Sequence, residues 1–391
     1  FALLTVGVLA LSEPALRLGT APVGEFCFLL TCAMTGGVVI GYSGDLITLI
    51  VGLETLTLPL YVLVGLRRFA PASRVTTAGS SAALTFLLVS VISTTIALLG
   101  AALLFAATGV LHLALLGGAG PLATVGASLI VIGFAFKVAA VPLHAWAPPT
   151  YDGAPLPIAA YLSTASKLGG VLALAAVVPR LDTGPLLAVL AVLTMTVGNL
   201  VALRQTRMVR LLAWSSVAQA GYILAPLAAG AAGTGAALAY AVFFLVLEFI
   251  AFAAVVALRP PEADGGAIAS YRGAARRSPW LGAALVLAFA GLAGLPPGLA
   301  GLFAKVTIVD ALIDAGWGWL AGVVALNAVI ALAYYVRAAA ILYAGPVGIA
   351  VADLRPPKLP VTWPVAATIG VAAVIAVGLG FAPQLLFDAL T

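Results

Sequence analysis

The chain has 391 residues, of which 63% are hydrophobic and only 8% are charged. Soluble domains carry about 25% charged residues, so this composition excludes a soluble globular protein and indicates a polytopic membrane protein. The formal net charge is +5, but basic residues in a membrane protein report orientation, so the charge does not predict a nucleic-acid partner.

Apolar segments long enough to cross a hydrocarbon core of about 30 Å recur along the chain. The opening stretch, "FALLTVGVLAL", reads as a helix already under way, so we expect the numbering to begin after an N-terminal part of the protein. The ninth apolar segment is too long for one straight crossing, and "GLPPG" at 294–298 interrupts it because proline disfavours a helix interior. We predict eleven spans, near 23–42, 45–66, 77–107, 122–146, 156–179, 184–203, 208–229, 234–258, 279–315, 317–343 and 362–382.

The basic residues of the loops agree with this count. With eleven alternating spans, the loops at 12–22, 67–76, 147–155, 204–210, 259–278 and 344–361 share one side. Those loops hold Arg17, Arg67, Arg68, Arg74, Arg204, Arg207, Arg210, Arg259, Arg272, Arg276, Arg277, Arg355 and Lys358. The opposite loops hold only Arg180. The positive-inside rule therefore predicts cytoplasmic basic loops and a C-terminus on the outer side.

No feature of the sequence predicts a bound cofactor or metal. The longest polar loop, 259–278, lacks the strands and the glycine fingerprint of a nucleotide-binding fold. The two cysteines, Cys27 and Cys32, lie in one apolar span and are best explained as buried thiols. We therefore expect neither a soluble catalytic domain nor a metal site.

Five charged side chains lie deep inside predicted spans, far from the span ends: Glu54, Lys137, Lys167, Glu248 and Lys305. A charge at the centre of a membrane helix costs roughly 2.5–3.5 kcal/mol, so the three lysines alone cost on the order of 8–10 kcal/mol. That sum is comparable to the whole stability of a typical domain, about 5–15 kcal/mol. These residues must be paired, neutral or exposed to a hydrated cavity, and the cost favours a functional role.

Structural alternatives remain for each of them. Glu54 could simply bond a neighbouring helix, and the small and hydroxyl neighbours of Lys167 in "YLSTASKLGG" suit close helix packing. Lys137 and Lys305 stand beside helix interruptions, where freed backbone groups are tolerated only next to protein or water. Glu248, in "FFLVLEFIAF", has no polar neighbours in sequence, so a structural partner explains it as well as a transport role does.

Histidine and tyrosine residues near the first interruption are weaker candidates. His144 follows Pro142 in "VPLHAW" and could pass protons near neutral pH, although a hydrogen bond at a helix end explains it equally well. His112 lies just outside a span and reads as structural. Tyr151 and Asp152 are expected in a loop, where turn geometry suffices to explain them.

The two interrupted spans predict an internal repeat. One interruption lies near 137–146 and the other at 294–298, five helices further on. Corresponding broken helices in two halves are a sequence sign of a transporter built from repeated units, and an odd number of helices per unit makes the two units inverted. We predict a truncated helix and loop over 1–22, five-helix repeats over 23–179 and 184–343, and a loop with a last helix over 344–391.

Four stretches together resemble one family. They are "GLETLTLPLYVLVGLRR", "GFAFKVAAVPLHAWAPPTYDGAPLPIAAYLSTASKLGG", "GNLVALRQTRMVRLLAWSSVAQAGYIL" and "LAGLPPGLAGLFAKVTIV". They resemble the subunit N family of bacterial NADH:quinone oxidoreductase, respiratory complex I, whose relatives include the antiporter-like subunits of that complex and the large subunits of Mrp-type antiporters. The match runs in order across nearly the whole chain. "YDGAP" followed by "STASK" favours subunit N over its siblings.

The resemblance implies an all-α antiporter-like fold, of which roughly the first two and a half helices would precede residue 1. It implies a proton-translocating role without a redox centre, in which Glu54, Lys137, Lys167 and Lys305 match the family's relay residues. NADH, FMN, iron–sulfur clusters and quinone would be bound by other subunits. The implied partners are the other membrane-arm subunits, including antiporter-like siblings, and the lipid bilayer, in a bacterial inner membrane.

Two positions depart from the family pattern. The family commonly has aspartate where this chain has Pro149, so the cytoplasmic entrance could differ. Glu248 stands where a small or amide residue is expected, so it is either an extra protonatable site or a substitution with a new partner.

The mechanistic hypothesis is that Glu54 stabilises the charged form of Lys137, and that separation of the pair releases a proton. Lys167 would relay the proton to Lys305. A Mrp-type Na⁺/H⁺ antiporter subunit is the main alternative, since it would share these charged positions. A structural membrane spacer would be insensitive to loss of Lys137 and Lys305. A receptor or lipid-binding protein ranks last, because it does not require matching helix breaks.

Overall fold

A computed structural model describes residues 1–66, 74–261, 263–345 and 361–390, without the side chains of 74–78 and 389–390. Four of the basic residues from which the orientation is predicted lie outside these residues: Arg67, Arg68, Arg355 and Lys358. Within the described residues every regular element is a helix, and the only strand-like contacts are two isolated bridges. The helices are α1 (Ala2–Arg17), α2 (Val23–Tyr42), α3 (Leu46–Gly65), α4 (Arg74–Thr108), α5 (Pro121–Ala135), α6 (Ala147–Gly153), α7 (Leu156–Tyr161), α8 (Lys167–Val177), α9 (Gly184–Ala202), α10 (Met208–Leu227), α11 (Ala231–Leu258), α12 (Ala274–Arg277), α13 (Pro279–Ala293), α14 (Leu299–Asp314), α15 (Gly318–Tyr343), α16 (Trp363–Phe381) and α17 (Gln384–Leu390).

Eight helical segments of the described chain are long and apolar enough to cross a membrane. Two further predicted spans are the interrupted ones, whose first halves, α5 and α13, are shorter apolar helices. The eleventh predicted span is α10, which carries Arg210, two serines and Gln219. All of α10 except Arg210 and Trp214 is buried, so this helix faces protein rather than lipid and has less need of an apolar surface.

The first interruption lies where the sequence predicts it. Helix α5 ends at Ala135, the chain turns through 136–146, and α6 begins at Ala147. The Thr194 hydroxyl accepts the Val141 N–H at 3.0 Å, and the Trp146 indole N–H donates to the Phe136 carbonyl at 3.1 Å. These bonds satisfy polar groups that an unbroken helix would have paired, which is the condition for irregular backbone inside a membrane.

The prediction of a loop over 147–155 was wrong. Residues 147–153 form α6, the second half of the broken helix. Its two prolines stand at the start of the helix, where a missing N–H costs nothing because that group has no partner in the helix. Tyr151, expected in the loop, is therefore fully buried.

The second interruption separates α13 from α14 at residues 294–298, as the sequence predicts. Gly294 ends α13 with φ +83°, a conformation that glycine adopts without steric cost. Gly301, in the first turn of α14, packs directly on α13: a Cβ there would stand 1.7 Å from the carbonyl oxygen of Gly291. Only glycine permits this close approach, which brings the first turns of α14 against the end of α13.

A short π-helical turn, Leu162–Ser166, joins α7 to α8 and ends directly before Lys167. The whole segment, Leu156–Arg180, is long enough for one span. Single π turns inside α-helices occur frequently at functional sites. The turn places this irregular backbone geometry directly before Lys167.

An ion-pair network joins three of the segments that the sequence predicts on one side of the membrane. Arg207 donates to Asp152 at 2.9 Å and to Asp264 at 2.9 Å, and Arg259 lies 3.5 Å from Asp264. Hydrogen bonds to Asp152 and Asp264 raise the pKa of Arg207. Burial acts to raise the pKa of Asp264, but the hydrogen bond and charge of Arg207 outweigh it and leave that pKa below its usual range. The network places residues 152, 207, 259 and 264 at one end of the bundle, which we call the basic end.

Candidate functional site

Lys137 lies just beyond the end of α5 and is 5% exposed. Its Nζ donates to Glu54 Oε1 at 2.9 Å, to Thr57 Oγ1 at 2.8 Å and to Ser90 Oγ at 3.2 Å. An ammonium has three donors, so every donor of Lys137 has a partner. The glutamate and the lysine that the resemblance pairs are in direct contact.

Glu54 is held from two sides. Besides Lys137, the Thr94 hydroxyl donates to the same Oε1 atom at 2.6 Å. Its side chain remains 26% exposed, in contrast to the buried lysine. The pair therefore has one member inside the bundle and one that reaches its surface between α3 and α4.

Lys167, the first residue of α8, is 1% exposed. Its Nζ donates to the backbone oxygen and to the hydroxyl of Ser216 on α10, both at 2.6 Å. Neither hydrogen-bond partner is charged, so this side chain has no direct ion pair among the described residues.

Lys305 lies on α14, after the second interruption, and is 8% exposed. Its Nζ donates to the carbonyl oxygens of Leu292 and Ala293, each at 2.8 Å. These carbonyls belong to the last turn of α13, where the carbonyl oxygens have no hydrogen-bond partners within the helix. The negative end of the helix dipole also favours a cation there, so the break itself provides the site of Lys305.

Each of the three lysines has an aromatic ring of its own at the same distance. Each Nζ lies 5.4 Å from a ring centroid, within the range of a cation–π contact. The rings are those of Phe136 for Lys137, Phe244 for Lys167 and Tyr222 for Lys305.

A line of buried polar groups leads from the Lys167 region to Lys305. The Ser215 and Tyr335 hydroxyls are hydrogen-bonded to each other, and Gln219 Nε2 donates to the Tyr335 hydroxyl at 3.0 Å. The same Nε2 donates to the Leu292 carbonyl at 3.3 Å, the carbonyl that also accepts from Lys305. Because Ser215 adjoins Ser216, the partner of Lys167, the line connects the surroundings of both lysines.

A second polar group lies beside Lys305. Asn199 donates to the Tyr222 hydroxyl at 3.3 Å and accepts from the Tyr334 hydroxyl at 3.1 Å. The Tyr240 hydroxyl donates to Gln219 Oε1. All of these side chains are buried, so they are held by one another rather than by water at the surface.

The residues of this line were missed by the sequence analysis. Their signal was present in α10, where Ser215, Gln219 and Tyr222 recur at helical spacing in an otherwise apolar helix. That spacing places three polar side chains on one helix face. Tyr335 on α15 had no comparable signal, because a tyrosine in an apolar helix is commonly a core residue.

The two remaining candidates, His144 and Glu248, form no hydrogen bond with any of the three lysines among the described residues. The His144 ring packs against Trp214 with centroids 5.2 Å apart, and its Nδ1 atom has no hydrogen-bond partner among the described residues. Glu248, on α11, is fully buried, and both of its carboxylate oxygens lack a hydrogen-bond partner within the described chain. His112 is a helix cap that accepts the Ala114 N–H at 3.3 Å.

The described residues contain no group of three or more His, Cys, Asp or Glu side chains that could hold a metal ion. The titratable residues in the interior are lysines and tyrosines, together with Glu248. The chemistry available to these residues is the binding and release of protons.

Comparisons with known proteins agree with this architecture. Residues 43–331 match the family model described as NADH:quinone oxidoreductase/Mrp antiporter, TM. The chain is 59% identical to NADH-quinone oxidoreductase subunit N of Salinispora tropica, over 99% of this chain and 83% of that protein. Its sequence is also 38% identical to subunit N 1 of Solidesulfovibrio magneticus, over 100% of this chain and 83% of the relative.

Solved structures show the same fold. A chain of respiratory complex I from Thermus thermophilus with bound aureothin superposes with a TM-score of 0.81 at 31% identity, covering 99% of this chain and 86% of that one. A chain of the Mrp complex from Dietzia sp. gives a TM-score of 0.86 at 23% identity, covering 99% and 80%; this second likeness shows the fold alone. The predicted all-α, antiporter-like fold is confirmed. The chain belongs to the NADH:quinone oxidoreductase/Mrp antiporter transmembrane family and, within it, to subunit N of NADH-quinone oxidoreductase.

Proposed function

We propose that this chain is a proton-translocating, non-redox subunit of the membrane arm of NADH:quinone oxidoreductase. The observation that carries the proposal is the ion pair of the buried Lys137 with Glu54 at a helix break, with Lys167 and Lys305 further along the bundle interior. Three buried lysines are expensive in a membrane. A protein that only spans the bilayer has no use for them, whereas a chain that moves protons requires them.

The pair supplies the step that can be switched. With Glu54 in contact, the Lys137 ammonium is stabilised by the opposite charge and by two hydroxyl acceptors. A movement of α3 or α5 that separates the pair leaves a buried cation without its counter-charge, which favours release of its proton. Moving one charge against 100 mV costs about 2.3 kcal/mol, and loss of a buried partner changes energies by about 3–5 kcal/mol, so the switch is large enough.

The released proton passes to Lys167 and then to Lys305 in this proposal. Lys167 is hydrogen-bonded to neutral acceptors only, so it can lose and regain a proton without breaking a direct ion pair. Lys305 is held by the carbonyl end of α13, and exchanges the proton with the far side. His144, beside the first break, would connect the Lys137 region to the basic end.

The same proposal fixes the orientation and the partners. The chain lies in a bacterial inner membrane with its basic end towards the cytoplasm and its C-terminus outside, as the positive-inside rule predicts. The two broken helices belong to inverted repeats, 23–179 and 184–343. Other subunits bind NADH, FMN, iron–sulfur clusters and quinone, while this chain binds no cofactor and contacts the antiporter-like subunits beside it.

Gentle extraction in mild detergent, followed by identification of what co-purifies, tests the proposal. We expect a large assembly with flavin and iron–sulfur absorbance that oxidises NADH. A smaller assembly of membrane subunits without a redox cofactor would contradict the proposal and move the chain to the Mrp-type Na⁺/H⁺ antiporters. In that case the same lysines would serve cation exchange.

A further inference from the structure

Glu248 is the one acidic side chain among the described residues that is fully buried. It lies in the middle of α11, and neither carboxylate oxygen has a hydrogen-bond partner in the described part of the chain. Buried polar groups are nearly always hydrogen-bonded, and a carboxyl group that served only to hold helices together would make such bonds. The absence of partners at both oxygens argues against a purely structural role.

Titratable groups on three other helices lie within electrostatic range of Glu248. Its carboxyl group interacts electrostatically with Lys167 of α8, Tyr151 of α6 and Tyr335 of α15. Two of these neighbours belong to the polar contacts described above. Lys167 is hydrogen-bonded to Ser216, and Tyr335 begins the line of polar groups that leads to Lys305. Further titratable side chains on elements that pack against α11 are Tyr161, Arg180, Arg210, Tyr222, Lys305, Asp310, Asp314 and Asp388.

We infer that Glu248 is a proton-carrying residue that connects Lys167 to Tyr335 and so to Lys305. This inference rests on the proposed function and adds a residue to its path. A proton leaves the Lys167 ammonium and binds the Glu248 carboxylate, giving a neutral amine and a carboxylic acid. The acid then gives the proton, through the Tyr335 hydroxyl and water, to the neutral amine of Lys305. One ammonium exists before and after, so no charge is created or lost.

Glu248 fills a gap that the hydrogen bonds leave open. Ser216 and Ser215 adjoin in sequence, but Lys167 bonds to Ser216 and Tyr335 to Ser215, and no hydrogen bond among the described residues joins Lys167 to Tyr335. The Glu248 carboxyl group has two oxygens without a hydrogen-bond partner in the described chain and interacts electrostatically with both Lys167 and Tyr335, so it can exchange a proton with each through an intervening water. No other acidic side chain among the described residues is fully buried, so no other carboxyl group in the interior of the described bundle could take this role.

The test is Glu248→Gln in the assembled complex, because glutamine keeps the volume but cannot carry a proton. After reconstitution into liposomes, we expect proton translocation per NADH oxidised to fall to the level of Lys305→Gln, with an initial rate at least about tenfold lower, given that positioned proton carriers contribute roughly 10²–10⁴-fold. Glu248→Asp keeps the carboxyl group and should retain a substantial part of the rate. Leu247→Met, a volume-conserving change at the neighbouring buried residue, should translocate as the unaltered complex does.

Normal translocation in Glu248→Gln, together with loss in Lys137→Gln and Lys305→Gln, would overturn this inference and leave the proposed function intact. Normal translocation in all three variants would overturn both. Should Glu248→Gln fail to assemble, infrared difference spectra of the unaltered complex and of Glu248→Asp decide the matter. We expect a carboxylic-acid band that appears on energisation and shifts in the aspartate variant, and the absence of such a band would overturn the inference.

Discussion

Replacing Glu54 by glutamine removes one charge of the buried ion pair while keeping nearly the same side-chain volume. At the observed separation of 2.9 Å, the Coulomb attraction is about 6 kcal/mol with an effective dielectric constant of about 20. Glu54 is 26% exposed, and the bonds from Lys137 to Thr57 and Ser90 survive. We therefore take the lower end of the range for broken buried pairs, about 3 kcal/mol, which corresponds to roughly a hundredfold change in an equilibrium that the pair controls.

The assay compares proton translocation per NADH oxidised by the reconstituted complex with the amount of complex assembled. We expect Glu54→Gln to lower translocation strongly while assembly is retained, because the altered side chain reaches the surface and is not a core residue. Glu25→Gln is the matched control: it makes the same chemical change at an exposed position in the first turn of α2 and should have no effect. Full translocation by Glu54→Gln would refute the argument from the pair.

Three further variants probe other parts of the structure. Asp264→Asn should lower the thermal stability of the detergent-extracted protein at pH 7. Since Arg207 keeps the pKa of Asp264 low, the difference between variant and unaltered protein should vanish as the pH falls through that lowered value, and a difference that grows in acid would contradict the pairing. Gly301→Ala places a Cβ 1.7 Å from the Gly291 carbonyl oxygen, so it should cost at least about 1–3 kcal/mol and reduce assembly, which a native gel would show. Tyr335→Phe removes a hydroxyl from the line to Lys305 and should slow translocation without loss of assembly; an unchanged rate would exclude that hydroxyl from the path.

Much of the fold could be predicted because the membrane imposes long apolar helices and permits few alternatives. The spans, the two interruptions and the intramembrane charges were all visible in the order of apolar and polar residues. The second half of the first broken helix was not, since "APPTYDG" has the composition of a turn. Its prolines instead start α6, and packing buries Tyr151. The π turn before Lys167 was equally invisible, because it arises from tertiary packing rather than from local preference.

The site was predictable in its charges but not in its connections. A charge in an apolar span stands out from the sequence alone, so Glu54, Lys137, Lys167 and Lys305 could be named. The side chains that these residues contact depend on how distant helices cross. The groups that hold Lys305 are backbone carbonyl oxygens at the end of α13. Sequence patterns carry no information about such backbone partners.

The central claim is that buried lysines carry protons through this chain, and Lys305 tests it most directly because its described hydrogen bonds are to backbone carbonyls rather than to a carboxylate. The decisive measurement is the number of protons translocated per NADH oxidised by the reconstituted complex with Lys305→Gln. We predict a clear fall in that ratio while the complex still assembles and oxidises NADH. An unchanged ratio in a fully assembled complex would contradict the account.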